Sequence, residues 1–167
     1  MTVRTFDADL RYSLESSDEP FWDAVYRKAF VNFKSSEIVS RKDWQLLGID
    51  RIINLTSGQR IKVDEKKRRV EYGDFALEFL GNDKTGSPGW VCKDLAIDFL
   101  AYAFMQSRRV YLLQWNLLRA AWRSKGETWK SSYRIISSNN PTYKTLSVAV
   151  PIGVVLESIQ SHCIINV

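Results

Sequence analysis

Two carboxylates and a lysine stand at spacings that could hold a divalent metal ion. Asp50 lies inside an apolar run, and Asp64 and Lys66 follow with one residue between them. Hydrolysis of a phosphodiester bond needs a polarised phosphoryl oxygen, an activated water and a stabilised leaving group, and Mg²⁺ held by carboxylates can supply all three. A lysine beside the ion can orient the water or offset charge on the phosphate. We therefore predict that Asp50 and Asp64 bind metal and that Lys66 positions the water.

Two strands must bring these groups together. Residues 44–55 and 60–66 are rich in apolar side chains and flank a glycine-containing turn at 56–59, which predicts a hairpin. Side chains alternate along a strand, so Asp64 and Lys66 share one face while Ile61, Val63 and Glu65 point to the other. The alternative is that both charges form an ordinary solvated pair on an exposed strand.

Three further polar residues could reach the same place. Glu78 lies on the polar face of a third predicted strand, residues 74–80, and is a candidate catalytic residue and third metal ligand. Glu19, in the first turn of a predicted helix, and Gln114, on a fourth predicted strand, could also join the site. Each also has an ordinary explanation, because surface strands carry polar residues and a carboxylate in a first turn interacts favourably with the helix dipole.

The spacing of apolar residues predicts the remaining elements. They are a short strand or arm within 1–17, helices at 19–34, 91–106 and 116–124, strands at 110–114 and 145–150, and a closing helix from Pro151 to about Gln160. Ser16, Ser17 and Asp18 offer an N-cap for the first helix. The order α-β-β-β-α-β predicts a mixed sheet flanked by helices on both faces.

The motif and the element order together resemble the PD-(D/E)xK nuclease superfamily. Asp50 takes the place of the first acidic residue, and Asp64-Glu65-Lys66 matches the (D/E)-x-K element in residue type. The chain departs from the named motif at Ile49, where the motif has proline.

The resemblance implies a restriction-endonuclease-like α/β (α+β) fold with an αβββαβ core. That core would cover about residues 19–115 of a single domain spanning 1–167, with 116–167 as a C-terminal extension. It also implies a Mg²⁺-dependent deoxyribonuclease, an endonuclease rather than an exonuclease, with Mn²⁺ as a substitute ion. Members of the superfamily often work as homodimers, since two DNA strands need two sites.

Composition is compatible with a nucleic-acid partner. The formal net charge is +5 and the pI is about 9.2, which favours an anionic partner. We predict nucleic-acid contacts for two basic pairs, Lys67 with Arg68 and Arg119 with Arg123, although solvated surfaces are the usual place for such residues. Nothing in the motif separates DNA from RNA as the target.

Other classes of protein fit less well. The only histidine, His162, rules out a multi-histidine metal site, and two distant cysteines predict no disulfide framework. Without a signal-peptide pattern or a long apolar run, the expected location is the cytoplasm. A catalytically inactive nuclease-fold module that binds nucleic acid or a protein partner stays open as the alternative to an enzyme.

Overall fold

The computed structural model describes residues 19–167. Its helices are α1 (Glu19–Ala29), α2 (Lys42–Leu46), α3 (Trp115–Ser132) and α4 (Ile152–Ile159), with a 3₁₀ turn at Trp90–Cys92. Its strands are β1 (Phe33–Ile38), β2 (Arg51–Leu55), β3 (Arg60–Arg68), β4 (Asp74–Asn82), β5 (Ser87–Pro88), β6 (Phe99–Phe104), β7 (Arg109–Gln114), β8 (Ile135–Asn139), β9 (Lys144–Pro151) and β10 (His162–Asn166). The predictions for residues 1–18 lie outside the described residues.

The chain divides into two compact units, and one of them contains a six-stranded mixed sheet. Among the described residues, this unit comprises 19–72, 94–118 and 156–167. Its strand order is β1-β2-β3-β6-β7-β10. The strands β1, β2 and β3 form an antiparallel meander, β6 runs parallel to β3, and β7 and β10 follow antiparallel. The predicted β2–β3 hairpin is confirmed, with Arg51 opposite Val63.

Helix α1 covers one face of this sheet because its apolar residues recur at helical spacing. Phe21, Trp22, Val25 and Tyr26 are buried on the helix. They belong to one apolar cluster with sheet residues that include Ile53, Ile61, Val63, Ala101 and Val110. Val63 therefore faces α1, and its neighbour Asp64 points to the opposite face of the sheet.

The second unit contains a four-stranded antiparallel sheet in the order β5-β4-β9-β8. It comprises residues 73–93 and 119–155 among those described, and so includes most of α3. Phe75, Leu77, Val148 and Val150 are buried, and they alternate along β4 and β9 as expected for strands with one covered face. The predicted strands at 74–80 and 145–150 and the helices at 116–124 and 151–160 are confirmed, with somewhat different limits.

The helix predicted at 91–106 is wrong, because residues 99–104 form strand β6. This strand pairs with β3 on one side and β7 on the other, and five of its six residues are buried. A strand buried on both faces reads as a continuous apolar run and cannot be separated from a buried helix by periodicity alone. The αβββαβ order therefore lacks its second helix among the described residues.

The third predicted strand also joins a different sheet from the one expected. Strand β4 pairs with β5 and β9, while β6 occupies the position beside β3. Local alternation identifies a strand but not its partner, which is decided by contacts distant in sequence.

Smaller differences arise at turns. Helix α1 ends at Ala29 rather than at 34, and the edge strands β1, β5, β8 and β10 were not predicted. Residues 44–50 do not extend β2, because Gly48 adopts a φ of +81°, a left-handed conformation incompatible with an extended strand. The mixed α/β class and the mixed sheet are confirmed, whereas the single domain stays a prediction. Among residues 19–167, no helix is long and apolar enough to span a membrane.

Candidate functional site

Asp50 and Asp64 meet at the start of the hairpin. Arg51 lies opposite Val63, and the next step of the same register brings Asp50 beside Asp64. Asp64 is 1% exposed, and with Arg51 it is one of two buried charged residues in the described part of the chain. Like charges on facing strand positions destabilise a sheet, and a buried carboxylate costs free energy unless it is paired. The two aspartates are therefore placed at a cost to stability.

The electrostatics of Asp64 reflect that cost. Burial raises the pKa of Asp64 from 3.8 to about 7, Lys66 opposes this shift, and the neighbouring Asp50 carboxyl adds to it. Asp64 Oδ2 is buried and accepts no hydrogen bond from residues 19–167. A cation placed between the two carboxylates would remove the repulsion and satisfy this oxygen.

Lys66 and a backbone amide hold the two carboxylates in place. Lys66 Nζ donates to Asp64 Oδ1 at 2.6 Å, and the lysine side chain is 32% exposed. The backbone N–H of Glu65 donates to Asp50 Oδ2 at 2.9 Å. The site therefore has a buried end at Asp64 and an end accessible to solvent at Lys66.

A partly buried polar network on the other face of the same strands was not predicted from the sequence. Arg51 Nε donates to Glu65 Oε1 at 2.6 Å, and Tyr26 Oη donates to the same oxygen at 2.8 Å. Arg51 Nη1 also donates to Ser36 Oγ at 3.2 Å, which in turn donates to Asp23 Oδ1. Burial raises the pKa of Glu65, and the Arg51 guanidinium opposes the shift.

This network joins residues adjacent in sequence to the site residues. Arg51 follows Asp50, and Glu65 lies between Asp64 and Lys66, so the ion pair holds β2 and β3 together beneath the carboxylates. The available signal was the alternation of the strands, which puts Arg51 and Glu65 on one face. The sequence offered no reason to expect them to be buried there.

The three further polar candidates lie elsewhere or on the other face. Glu78 is on β4 in the unit with the four-stranded sheet, so it is not on the sheet that carries Asp50 and Asp64. Gln114 pairs with Phe99, which pairs with Val63, and its amide donates to Ser161 Oγ at 3.0 Å on the α1 side of the sheet. The role of each as a metal ligand or catalytic residue stays a prediction, as it does for Glu19.

Glu19 lines a cleft beside α1. The cleft is also lined by Pro20, Asp23, Ser36 and Arg51, and thus lies next to the partly buried network rather than on the face of Asp64.

The four basic residues predicted to contact nucleic acid lie in two places. Lys67 and Arg68 are half-buried at the end of β3, and the Arg68 guanidinium lies 4.8 Å from the centre of the Tyr72 ring. Arg119 and Arg123 lie one turn apart on α3 and line one cleft. These contacts stay predictions, and the α3 pair is developed below.

The fit of a metal ion can be judged from the donors present. Within residues 19–167 no group of three or more His, Cys, Asp or Glu side chains could hold one. Magnesium, however, is usually bound in proteins by one or two carboxylates, with waters and substrate phosphates completing six oxygens. Asp50 and the unsatisfied oxygen of Asp64 supply two such carboxylates, so the residues fit a Mg²⁺ ion that is completed by water and substrate.

Comparisons with protein-family models, characterised proteins and solved structures find no match to this chain.

Proposed function

We propose that this protein is a Mg²⁺-dependent nuclease that hydrolyses phosphodiester bonds in DNA, with its active site at Asp50, Asp64 and Lys66. The observation that carries the proposal is the facing pair of aspartates, one of them buried with an oxygen that lacks a donor among the described residues. Perturbed, desolvated carboxylates with a specific charged neighbour are typical of catalytic sites. A sheet that needed only stability would carry apolar residues at these positions.

The surrounding fold supports the same reading. With the short helix α2 and the elements between β3 and β6 left aside, the order is a helix (α1), an antiparallel three-stranded meander (β1, β2 and β3) and a parallel fourth strand (β6). This agrees with the αβββ part and the last strand of the αβββαβ core, although the helical crossover is replaced by other elements. The restriction-endonuclease-like fold is part of the proposal.

Each side chain of the site would have a separate role. Asp50 and Asp64 would hold the ion, which when bound would polarise the phosphate and lower the pKa of a water molecule. Lys66 Nζ, partly exposed and 2.6 Å from Asp64, can turn towards a substrate phosphate or a water once a cation takes over the neutralisation of Asp64. The Glu65 N–H, which donates to Asp50 Oδ2, would help to keep Asp50 aligned with the ion.

The lack of a third side-chain ligand among residues 19–167 favours a second candidate function, a binding module without catalytic activity. A metal ion is bound more weakly by two carboxylates than by three. A nuclease fold that does not catalyse cleavage could instead bind nucleic acid or a protein partner. The pairing of Lys66 with Asp64 fits both candidates, because a nearby cation stabilises a buried aspartate whether or not the site is catalytic.

The experiment is a cleavage assay with purified protein. Supercoiled, linear and branched DNA and a single-stranded RNA are incubated with Mg²⁺, Mn²⁺ or EDTA. Asp64→Asn and Lys66→Ala are the test variants, and Asp43→Asn and Lys34→Ala are matched controls at exposed positions of the same unit. Circular dichroism checks that all four variants fold.

The proposal predicts cutting of DNA with Mg²⁺ or Mn²⁺ and none with EDTA, retained by both controls and lost by both test variants. Faster cutting of RNA than of DNA would reassign the substrate. Folded wild-type protein that binds metal or DNA but cuts nothing would favour the binding module. Cutting that survives both Asp64→Asn and Lys66→Ala would show that the active site lies elsewhere.

A further inference from the structure

A cleft beside α3 brings together two arginines that the proposed chemistry does not use. The cleft encloses about 210 Å³ and lies within the unit that contains the four-stranded sheet. Arg119 and Arg123 are four residues apart on α3, so their side chains lie on the same side of the helix. Val91 and Cys92, from the 3₁₀ turn, form part of the opposite wall.

Packed aromatic rings lie beside the arginines in this cleft. Trp122 is 8% exposed, and its ring stacks on Phe79 with centroids 6.5 Å apart and also contacts Trp129. Gly126 lets the ring pack against the helix, because a Cβ at this position would lie 3.1 Å from the ring atoms of Trp122. The arginines therefore project from a helix whose Trp122 is packed against neighbouring rings.

The charge of the cleft is positive. Glu127 is the acidic residue among those that line it, its side chain is 92% exposed, and its carboxylate lies 2.6 Å from Lys130 Nζ. Two arginines thus line a small cleft whose single carboxylate is paired with Lys130. A guanidinium presents a planar fork of N–H donors that matches the oxygens of a phosphate, and two of them suit a group carrying one or two negative charges.

We infer that the α3 cleft, formed by Val91, Cys92, Arg119, Trp122, Arg123, Gly126 and Glu127, binds a phosphate group of the substrate nucleic acid. The phosphate is either an internal phosphodiester or a terminal phosphomonoester, since both present the same oxygens. The inference rests on the proposed function for the identity of the ligand. It does not require that the protein binds a metal ion or cleaves the strand.

The two cysteines provide a direct readout. Cys92 is exposed and lines the cleft, whereas Cys163 is exposed on β10 in the other unit. The rate at which N-ethylmaleimide alkylates each cysteine is measured by peptide mass spectrometry in EDTA, so that no strand is cut. The probes are inorganic phosphate and one single-stranded oligonucleotide with either a 5′-phosphate or a 5′-hydroxyl.

A saturating oligonucleotide should slow alkylation of Cys92 and leave Cys163 unchanged. At ten times the dissociation constant, mass action leaves about one site in eleven free, so the rate should fall roughly tenfold. Protection should disappear in the double variant Arg119→Gln, Arg123→Gln. It should persist in Lys125→Gln, a change on the same helix about 200° from Arg123 around the helix axis.

The probes distinguish the two sources of phosphate. Protection by both oligonucleotides assigns an internal phosphodiester, while protection only by the 5′-phosphorylated strand or by inorganic phosphate assigns a terminal group. Equal Cys92 rates with and without every probe would overturn the inference, as would protection that survives the double variant. Because the experiment needs neither metal nor Asp64, protection can be found where the nuclease proposal fails, and can be lacking where it succeeds.

Discussion

Replacing Asp64 with asparagine should make the metal-free protein more stable at high pH. The pKa of Asp64 is raised from 3.8 to about 7, so the folded protein holds a proton that the unfolded chain releases at lower pH. Stability from this group is therefore present at low pH and is lost as the pH rises through about 7. Asparagine has nearly the same shape as aspartate but does not ionise, so the variant does not lose this stability as the pH rises.

The size of the effect follows from the shift. About three pKa units correspond to about 4 kcal/mol in total, of which about 2–3 kcal/mol falls between roughly pH 5 and pH 8.5. The unfolding free energy of Asp64→Asn minus that of wild type should thus increase by about 2–3 kcal/mol from the lower to the higher pH. Glu65, whose pKa is also raised, is present in both proteins and cancels in the comparison.

Urea denaturation at the two pH values, in EDTA, measures the gap. Asp43→Asn, an exposed change of the same kind, should show no pH-dependent gain of this sign. Added Mg²⁺ should stabilise the wild type and not Asp64→Asn, by about 2.7 kcal/mol at one hundred times the dissociation constant. A gap between Asp64→Asn and wild type that is the same at both pH values would refute the reasoning about Asp64.

Two further predictions concern the residues that support the site. Arg51→Met should lower the free energy of unfolding by about 3–5 kcal/mol, because it leaves the Glu65 carboxylate, only 13% exposed, without its cation. Arg51→Met combined with Glu65→Met should recover more than half of that loss. Urea denaturation checks this, and a double variant less stable than the single one would contradict it. Gly48→Ala should cost more stability than Gly58→Ala, by about 1–3 kcal/mol, since both positions have positive φ but only a Cβ at 48 meets Leu95, at 3.0 Å. Equal midpoints of thermal unfolding for the two glycine variants would show that Leu95 makes room for the new Cβ at no cost in stability.

The sequence predicted the hairpin because its two strands are local and carry a clear turn. Alternation along β3 put Asp64 and Lys66 on one face, and the spacing from Asp50 to Asp64 matched a strand, a turn and a returning strand. Those features depend on neighbours in sequence. They fix the centre of the candidate site before any distant contact is known.

What the sequence did not predict depends on distant pairing. The stretch 99–104 was expected in a helix because a central strand is apolar on both faces, and only its pairing with β3 and β7 reveals it as a strand. The same pairing displaces the third expected strand, with Glu78, into another sheet. The ion pair of Arg51 and Glu65 also needs α1 above it to be recognised as buried.

The measurement that tests the central claim most directly is a titration with Mn²⁺ at about pH 8, where Asp64 is mostly ionised. Free and bound Mn²⁺ are separated by electron paramagnetic resonance in wild type, Asp50→Asn, Asp64→Asn and the control Asp43→Asn. We predict one site in wild type and in the control that is weakened at least about tenfold in both test variants. Binding of equal strength in all four proteins would contradict the assignment of Asp50 and Asp64 as the metal site.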